Sequence, residues 1–278
     1  MPVIQECNGP YEDMFIAWPG LRSLRAPLIL MTRAQYRWAD GLITVTEGLA
    51  TWLRQETDDR PVVVIPNGAN TELFEPEATA VDGLPERYAV FFGSLAPWQG
   101  IETLLRAARE PAWPSDVHLV IAGDGALRAA VDAASRDSHV TYLGCLPQSE
   151  LPGVVAHSVA SLILKDDPAH ATSGLSPLKL YESMAAGIPI IASDLPGLRD
   201  VVNDARCGLL VPPGDASAVA QAVRTITEDA ELAEAMGRRA RSTALDQYSW
   251  TAVAQRIARV IEDAVSAHRA EHGRQHAQ

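Results

Sequence analysis

The feature that most restricts the fold of this sequence is a regular alternation of short apolar segments with amphipathic ones. Segments such as YAVFF, VHLVIAG and VASLILK are short and apolar, as expected for strands that are buried on both faces. Between them lie segments such as GIETLLRAARE and ALRAAVDAAS, in which apolar residues recur at helical spacing. Such βα units predict an α/β fold, with a doubly wound, Rossmann-like domain built on a parallel sheet.

The domain organisation follows from a break in this alternation. GLITVT, EGLATWLRQE and VVVIPNG predict a strand, a helix and a strand before the break. Residues 71–87 are polar and rich in proline and acidic residues, which is typical of a linker. We therefore expect a partial N-terminal α/β domain at 1–76, a Rossmann-like domain at 77–247, and a C-terminal helix with a frayed tail at 248–278.

Charge and cysteine content exclude several classes of protein. The chain has 35 acidic against 23 basic residues, so its net charge of -12 disfavours binding to nucleic acid. No apolar run approaches the roughly 18 residues that span a bilayer, and residues 1–20 lack a signal-peptide pattern, so we expect a cytoplasmic location. Three cysteines without C-x-x-C spacing predict neither a disulfide framework nor a metal site.

The stretch HATSGLSPLKLYESMAAGIPIIAS, residues 170–193, predicts a loop, a helix and a buried strand in succession. Ser176 and Pro177 are typical of an N-cap and first helical position, and Gly187 followed by Pro189 is typical of a helix end. The apolar segment IPIIAS then predicts a parallel strand.

Two charged residues make the start of this helix a candidate anion site. Lys179 is unfavourable near the positive end of the helix dipole unless an anion binds there, and Glu182 lies on the same helix face. We interpret the pair as part of a nucleotide-diphosphate site; the alternative is an ordinary surface ion pair. Lys165 and Lys179 are the only lysines among the 23 basic residues, which is consistent with a specific need for an ammonium group.

Other candidate site residues lie in loops that follow predicted strands. The loop at residues 92–100 and the sequence Gly123-Asp124-Gly125 each connect a strand to a helix, where ligands of doubly wound sheets bind. The alternative for the first loop is a tight connection without a ligand; for the second, we expect the glycines to admit a ligand or the opposite domain. His170 could donate to a phosphate or a sugar hydroxyl, although a solvated loop histidine is the more frequent case.

The sequence lacks the motifs of two enzyme classes. No third glycine follows Gly123-Asp124-Gly125 at the dinucleotide spacing, so a dehydrogenase is not supported. The chain also lacks G-x-S-x-G and H-E-x-x-H, so hydrolases of those kinds are not supported.

Taken as an ordered set, the motifs resemble a known family. GSLAPWQGIETLLRA, LVIAGDGALRAAV, VTYLGCLPQSELPGVVAHSVASLI and SPLKLYESMAAGIPIIASDLPGLRDVV are similar to the C-terminal domain of retaining GT-B glycosyltransferases of family 4. ECNGP, ADGLITVTEGLATWL and VVVIPNGANTELFEP resemble the later part of that family's N-terminal domain. The resemblance implies a GT-B-like fold with one complete Rossmann-like domain and a partial N-terminal one that lacks its first strands.

The resemblance also implies an activity of the hexosyltransferase type. It implies transfer of a sugar from a nucleoside-diphosphate sugar to an acceptor hydroxyl, with retention of configuration, without a metal and without a cofactor other than this substrate. Glu182 matches the second glutamate of the family's E-x7-E motif, which is expected on the ribose, and amides at residues 175–178 are expected on the diphosphate. The acceptor, whether glycan, lipid or small molecule, and the catalytic residue stay undefined, and a position peripheral to the membrane is possible. The donor-binding residues expected in all are Gly93, Ser94, Gln99, Gly100, Gly123, Asp124, His170, Ser173, Gly174, Leu175, Ser176, Pro177, Leu178, Lys179 and Glu182.

The sequence departs from the family pattern at three charged positions. Gly174 stands in place of the first glutamate, Ser94 in place of an arginine, and Gln99 in place of a lysine. Lys179, and secondly Lys165, are the candidates to compensate the charge of a diphosphate. The alternatives are a non-catalytic nucleotide-sugar-binding subunit, a fragment or chain completed by a partner or a second copy through the incomplete N-terminal domain, and a sugar-nucleotide epimerase.

Overall fold

The structure, a computed structural model, describes residues 2–58, 60–136, 139–166 and 174–275. Within these ranges all paired strands are parallel and form two sheets. The chain divides by its internal contacts into two compact units. The parallel α/β fold class predicted from the alternation is therefore confirmed.

The first unit contains a three-stranded sheet in the order β1-β2-β3. Its elements are β1 (Ile4–Cys7), α1 (Tyr11–Ala17), a 3-10 helix (Pro19–Leu24), α2 (Arg25–Trp38), β2 (Gly41–Thr44), α3 (Glu47–Glu56) and β3 (Val62–Val64). The core includes the aromatic side chains of Tyr11 and Tyr36, packed with Leu42 and Leu53. Helix α3 begins where the Thr46 hydroxyl accepts from the Leu49 amide, which is an N-cap bond.

The second unit contains a six-stranded sheet in the order β6-β5-β4-β7-β8-β9. The strands are β4 (Tyr88–Phe92), β5 (His118–Ala122), β6 (Val140–Gly144), β7 (Ala160–Ile163), β8 (Ile190–Ser193) and β9 (Gly208–Val211). The helices are α4 (Ile101–Ala107), α5 (Arg128–Ala134), α6 (Leu151–Ala156), α7 (Leu178–Ala185), α8 (Leu198–Ala205), α9 (Ala216–Glu228) and α10 (Ala230–Thr243). The direction of winding reverses between β4 and β7, so a crevice forms beyond the carboxyl ends of these central strands.

The division of the chain differs from the expected one. The N-terminal segment of the first unit ends at Asn67 instead of residue 76, and the unit also includes the described residues 174–176 and the last helix, α11 (Trp250–Gln275), from Thr251 onward. The reason is hydrophobic packing: Val253 lies in one buried cluster with Ile43 and Ile65 of the small sheet. By its contacts, the described part of α11 from Thr251 onward therefore belongs to the first unit.

Candidate functional site

A cleft of about 470 Å³ opens at the carboxyl ends of β4, β5 and β6 in the second unit. Its walls are the segments that follow β4, β5 and β6 together with the first turns of α6 and α7. The lining residues are Phe92, Gly93, Gln99, Ala122, Gly123, Cys145, Leu146, Leu151, Pro177, Leu178, Lys179 and Glu182. This is the position at which a doubly wound sheet binds its ligand.

Glycines set the close approach of the loops that form the cleft. The Gly93 amide donates to the Ala122 carbonyl at 2.9 Å, and the Gly123 amide donates to the Gly144 carbonyl at 2.7 Å. A Cβ on Gly123 would lie 1.9 Å from the Gly93 carbonyl oxygen, and one on Gly125 would lie 2.8 Å from the Leu95 amide nitrogen. These glycines therefore allow the loop after β4 to approach closely, and Gly123 also lines the cleft; their contact with a ligand stays a prediction.

We expect Gly123→Ala to destabilise the protein by about 2–6 kcal/mol, since it combines backbone strain at a φ of +137° with a backbone clash. Gly144→Ala is the matched control, because residue 144 also has a positive φ, of +67°, but an added methyl group there would meet open space. This variant should therefore lose only the backbone strain of about 1–2 kcal/mol, without a clash. Urea unfolding of both variants measures the difference. Equal losses of stability would contradict the packing role of Gly123.

Lys179 is the central polar group of the cleft. It is the second residue of α7 and is only 8% exposed. Its Nζ donates to Gln99 Oε1 at 3.0 Å and lies 4.0 Å from the centroid of the Phe91 ring, a cation–π contact. A Cβ on Gly93 would be 3.5 Å from the same nitrogen, so the loop after β4 lies directly over the ammonium group.

The electrostatics of this region favour a bound anion. Burial, reinforced by the positive charge of Lys165, lowers the pKa of Lys179 to about 7, while the negative charge of Glu182 acts in the opposite direction. Burial raises the pKa of Glu182, and Lys179 partly offsets this rise. Lys165 and Lys179 are thus both buried, and the positive charge of Lys165 repels that of Lys179. A bound anion would offset this repulsion.

The structure gathers about half of the predicted donor-site residues into the cleft and places the others elsewhere. Those that line the cleft are Gly93, Gln99, Gly123, Pro177, Leu178, Lys179 and Glu182. Ser94, Gly100 and Asp124 lie on the adjoining loops without lining it, and the Asp124 carboxylate accepts from the Gly125 amide at 2.8 Å. Gly174, Leu175 and Ser176 belong by their contacts to the first unit. His170 and Ser173 lie outside the described residues.

The predicted N-cap at Ser176 was wrong. Helix α7 begins at Leu178 after Pro177, and no side chain caps it. The Ser176 hydroxyl instead accepts from the Asn67 amide at 3.1 Å, and the Ser176 carbonyl accepts from Asn67 Nδ2 at 2.7 Å. The serine is therefore engaged by the turn after β3, and a residue-type preference for caps could not show that competition.

Sequence reasoning missed the apolar wall of the cleft. Cys145 and Leu146 follow β6, and Leu151 opens α6. The rule that ligands bind beyond the carboxyl ends of parallel strands applies to β6 as it does to β4 and β5, so it could have indicated the first two. Cys145 is exposed and has a free thiol. Among the described residues, no group of three or more His, Cys, Asp or Glu side chains is placed to hold a metal ion.

Comparison with known proteins defines the family. The family model described as glycosyl transferases group 1 matches residues 86–229, which is more than half of the chain and contains every residue lining the cleft. The chain belongs to this family. The resemblance recognised in the ordered motifs is thereby confirmed.

Curated relatives are named glycosyltransferases. The chain is 33% identical over 233 residues to the phosphatidyl-myo-inositol mannosyltransferase of Mycolicibacterium smegmatis, with 80% of this chain and 57% of the relative covered. It is 29% identical over 223 residues to the 2-deoxystreptamine glucosyltransferase of Streptomyces kanamyceticus, with 74% of this chain and 56% of the relative covered. The chain thus spans little more than half the length of the curated relatives it matches.

Solved structures show the same fold. Sucrose-phosphate synthase from Thermosynechococcus elongatus superposes with a TM-score of 0.75 at 24% identity, covering 95% of this chain and 68% of that one. HepE from Anabaena, solved in complex with UDP-glucose, superposes with a TM-score of 0.74 at 19% identity, covering 94% of this chain and 72% of that one. The architecture is that of GT-B glycosyltransferases. In the part of the chain that the structure describes, every helix is too short or too polar to cross a bilayer.

Proposed function

We propose that this chain carries the donor site of a retaining, metal-independent glycosyltransferase, which transfers a sugar from a nucleoside-diphosphate sugar to an acceptor hydroxyl. The observation that carries the proposal is the burial of Lys179, which lines the cleft and whose charge is repelled by that of Lys165. A buried ammonium group is costly unless an opposite charge accompanies it. A diphosphate bound in the cleft would supply that charge.

The cleft offers a complementary surface to each part of such a donor. Lys179 and the loop after β4 would contact the diphosphate, and Glu182, one helical turn further on, would accept from the ribose hydroxyls. The apolar wall formed by Leu146 and Leu151 would face the base. Support comes from HepE, a protein of the same fold that was solved with UDP-glucose.

The arginine and the lysine that the family resemblance implies on the loop after β4 are both absent here. Their absence changes which residues would stabilise the diphosphate as it leaves. Gln99 occupies the position of the family lysine and binds Lys179 instead. The positive charge therefore comes from α7 rather than from the loop. As the diphosphate leaves, its increasing negative charge would be stabilised by an ammonium group that is already in place and shielded from water.

The acceptor is proposed only as a hydroxyl compound. The names of two relatives specify two different acceptors, phosphatidyl-myo-inositol and 2-deoxystreptamine. Both names describe a hydroxyl-bearing acceptor, which is the class proposed here.

A thermal-shift screen against uridine, guanosine and adenosine diphosphate sugars tests the donor assignment. A ligand at one hundred times its Kd stabilises the folded state by about 2.7 kcal/mol, which is a shift of several degrees for a chain of this size. We expect one base to give the largest shift and the corresponding nucleoside without phosphates to give none. No shift with any diphosphate would contradict the proposed function.

A second candidate function is a nucleotide-sugar-binding subunit completed by another chain or a second copy. It is favoured by β1, an edge strand of a three-stranded parallel sheet, and by apolar side chains exposed nearby in sequence. Trp18, Leu30 and Trp38 are 63%, 70% and 80% exposed. A molar mass that stays monomeric over a wide concentration range would exclude self-association, and turnover by the chain alone would exclude a purely binding role.

A further inference from the structure

We propose that Asp166 is a positioning residue that holds the turn at residues 98–100, so that Gln99 Oε1 accepts a hydrogen bond from the ammonium group of Lys179. Asp166 follows β7 and is not among the residues that line the cleft. Its effect on a ligand would therefore pass through Gln99. The consequence for donor binding rests on the proposed function, whereas the effect on Lys179 does not.

The carboxylate of Asp166 joins two other elements of the second unit. Its Oδ2 accepts from the Thr103 hydroxyl at 2.7 Å, on the first turn of α4, and its Oδ1 accepts from the Gly214 amide at 3.1 Å, after β9. Arg106 Nη2 donates to the Thr103 hydroxyl oxygen and to the Gly214 carbonyl, each at 3.1 Å. The segments after β7 and β9 and the start of α4 are thus tied together by one network.

The backbone of Asp166 holds the turn on both sides of Gln99. Its amide donates to the Trp98 carbonyl at 3.3 Å, before Gln99. After Gln99, Gly100 has a φ of +69°, and a Cβ there would lie 2.6 Å from Leu164 Cβ and 3.5 Å from Asp166 Oδ1. The turn is therefore packed against the segment of Leu164 to Asp166, with little room to shift.

The position of this turn matters because Gln99 is an acceptor for a buried ammonium group. Gln99 Oε1 lies 3.0 Å from Lys179 Nζ, and a hydrogen bond of this length is lost when the acceptor moves by about one ångström. Without that acceptor, the ammonium group would be less well stabilised between Lys165, which repels it, and Glu182, which attracts it. Anchoring at Asp166 therefore maintains the charged state of Lys179.

The chain offers a direct spectroscopic test, because it contains only two lysines. Lysine labelled with 13C at the ε-carbon will give two resonances, and Lys179→Met identifies which belongs to Lys179. Thr103→Val removes the donor to Asp166 without changing a charge, so it is preferred to Asp166→Asn, which serves as the second variant. We expect Thr103→Val to lower the titration midpoint of Lys179 by about half a unit or more, with Thr103→Ser restoring it.

The same variant tests the consequence for the donor. We expect Thr103→Val to weaken binding of the nucleoside-diphosphate sugar by about fivefold, the usual worth of one hydrogen bond. In a Gln99→Ala background this effect should disappear, because the route from Asp166 to Lys179 is already broken. Thr225→Val, which removes a hydroxyl that donates to the carbonyl of Gln221 on α9, is the matched control and should change neither readout.

The outcomes separate the two proposals. An unchanged Lys179 resonance in both Thr103→Val and Asp166→Asn, or effects of equal size with and without Gln99, would overturn the positioning role. If the resonance responds as expected but the unmodified protein binds no nucleoside-diphosphate sugar, the positioning role stands and the proposed function fails.

Discussion

Replacing Lys179 by methionine is expected to weaken binding of a nucleoside diphosphate by more than about tenfold. The methionine keeps an unbranched apolar stem against Phe91 but removes the ammonium group that would contact the diphosphate. Hydrogen bonds to charged groups are worth about 1.5–3 kcal/mol, which corresponds to a factor of roughly 10–100 in Kd. Isothermal titration calorimetry at neutral pH measures the change.

Folding stability distinguishes a lost contact from a damaged protein. Because Lys179 is buried, its removal should leave the melting temperature of the unliganded protein unchanged or raise it. Arg238→Met, which removes an equal charge from an exposed position on α10, is the control for net charge and should bind normally. Unchanged affinity in Lys179→Met would contradict the assignment of the cleft as a diphosphate site.

Affinity for a nucleoside-diphosphate sugar should fall as the pH rises through neutrality. The pKa of Lys179 is lowered to about 7, chiefly by burial, so the unliganded protein loses this positive charge near neutral pH. The diphosphate diester does not titrate in this range and favours the protonated lysine. We therefore expect binding to be about tenfold weaker at pH 8 than at pH 6.

Two variants identify the group that titrates. In Lys179→Met the pH dependence should be lost. Glu182, whose pKa is raised by burial, also gains negative charge with rising pH and would weaken anion binding in the same direction. In Glu182→Gln, a pH dependence that persists assigns it to Lys179, and one that vanishes contradicts our assignment.

The sign for folding stability is opposite to that for binding. The folded-state pKa of Lys179 lies below its ordinary value, so between the two values the unfolded chain binds more protons than the folded one. The contribution of Lys179 to the free energy of unfolding should therefore increase as the pH rises from about 7. Urea unfolding of the unmodified protein and of Lys179→Met across this range isolates that contribution.

Much of the fold was predictable from local patterns. Residues 88–92 and 118–122 are short apolar runs, and the structure places them as adjacent central strands with Ala89, Val90 and Phe91 fully buried. Such runs identify strands reliably because both faces of a parallel sheet must be apolar. The position of Lys179 and Glu182 on one helix face was also predictable from the local sequence, because the helical period places residues three apart on the same side.

What the sequence by itself determined was the set of elements, the family and the position of Lys179 and Glu182 on one face of α7. Only the tertiary structure decided which partners those elements meet: Ser176 bonds Asn67 instead of capping α7, Gln99 accepts a hydrogen bond from Lys179, and α11 packs with the small sheet. The physical reason is that hydrogen bonds and hydrophobic contacts between residues far apart in the chain depend on how the strands are ordered, and local preferences do not encode that order.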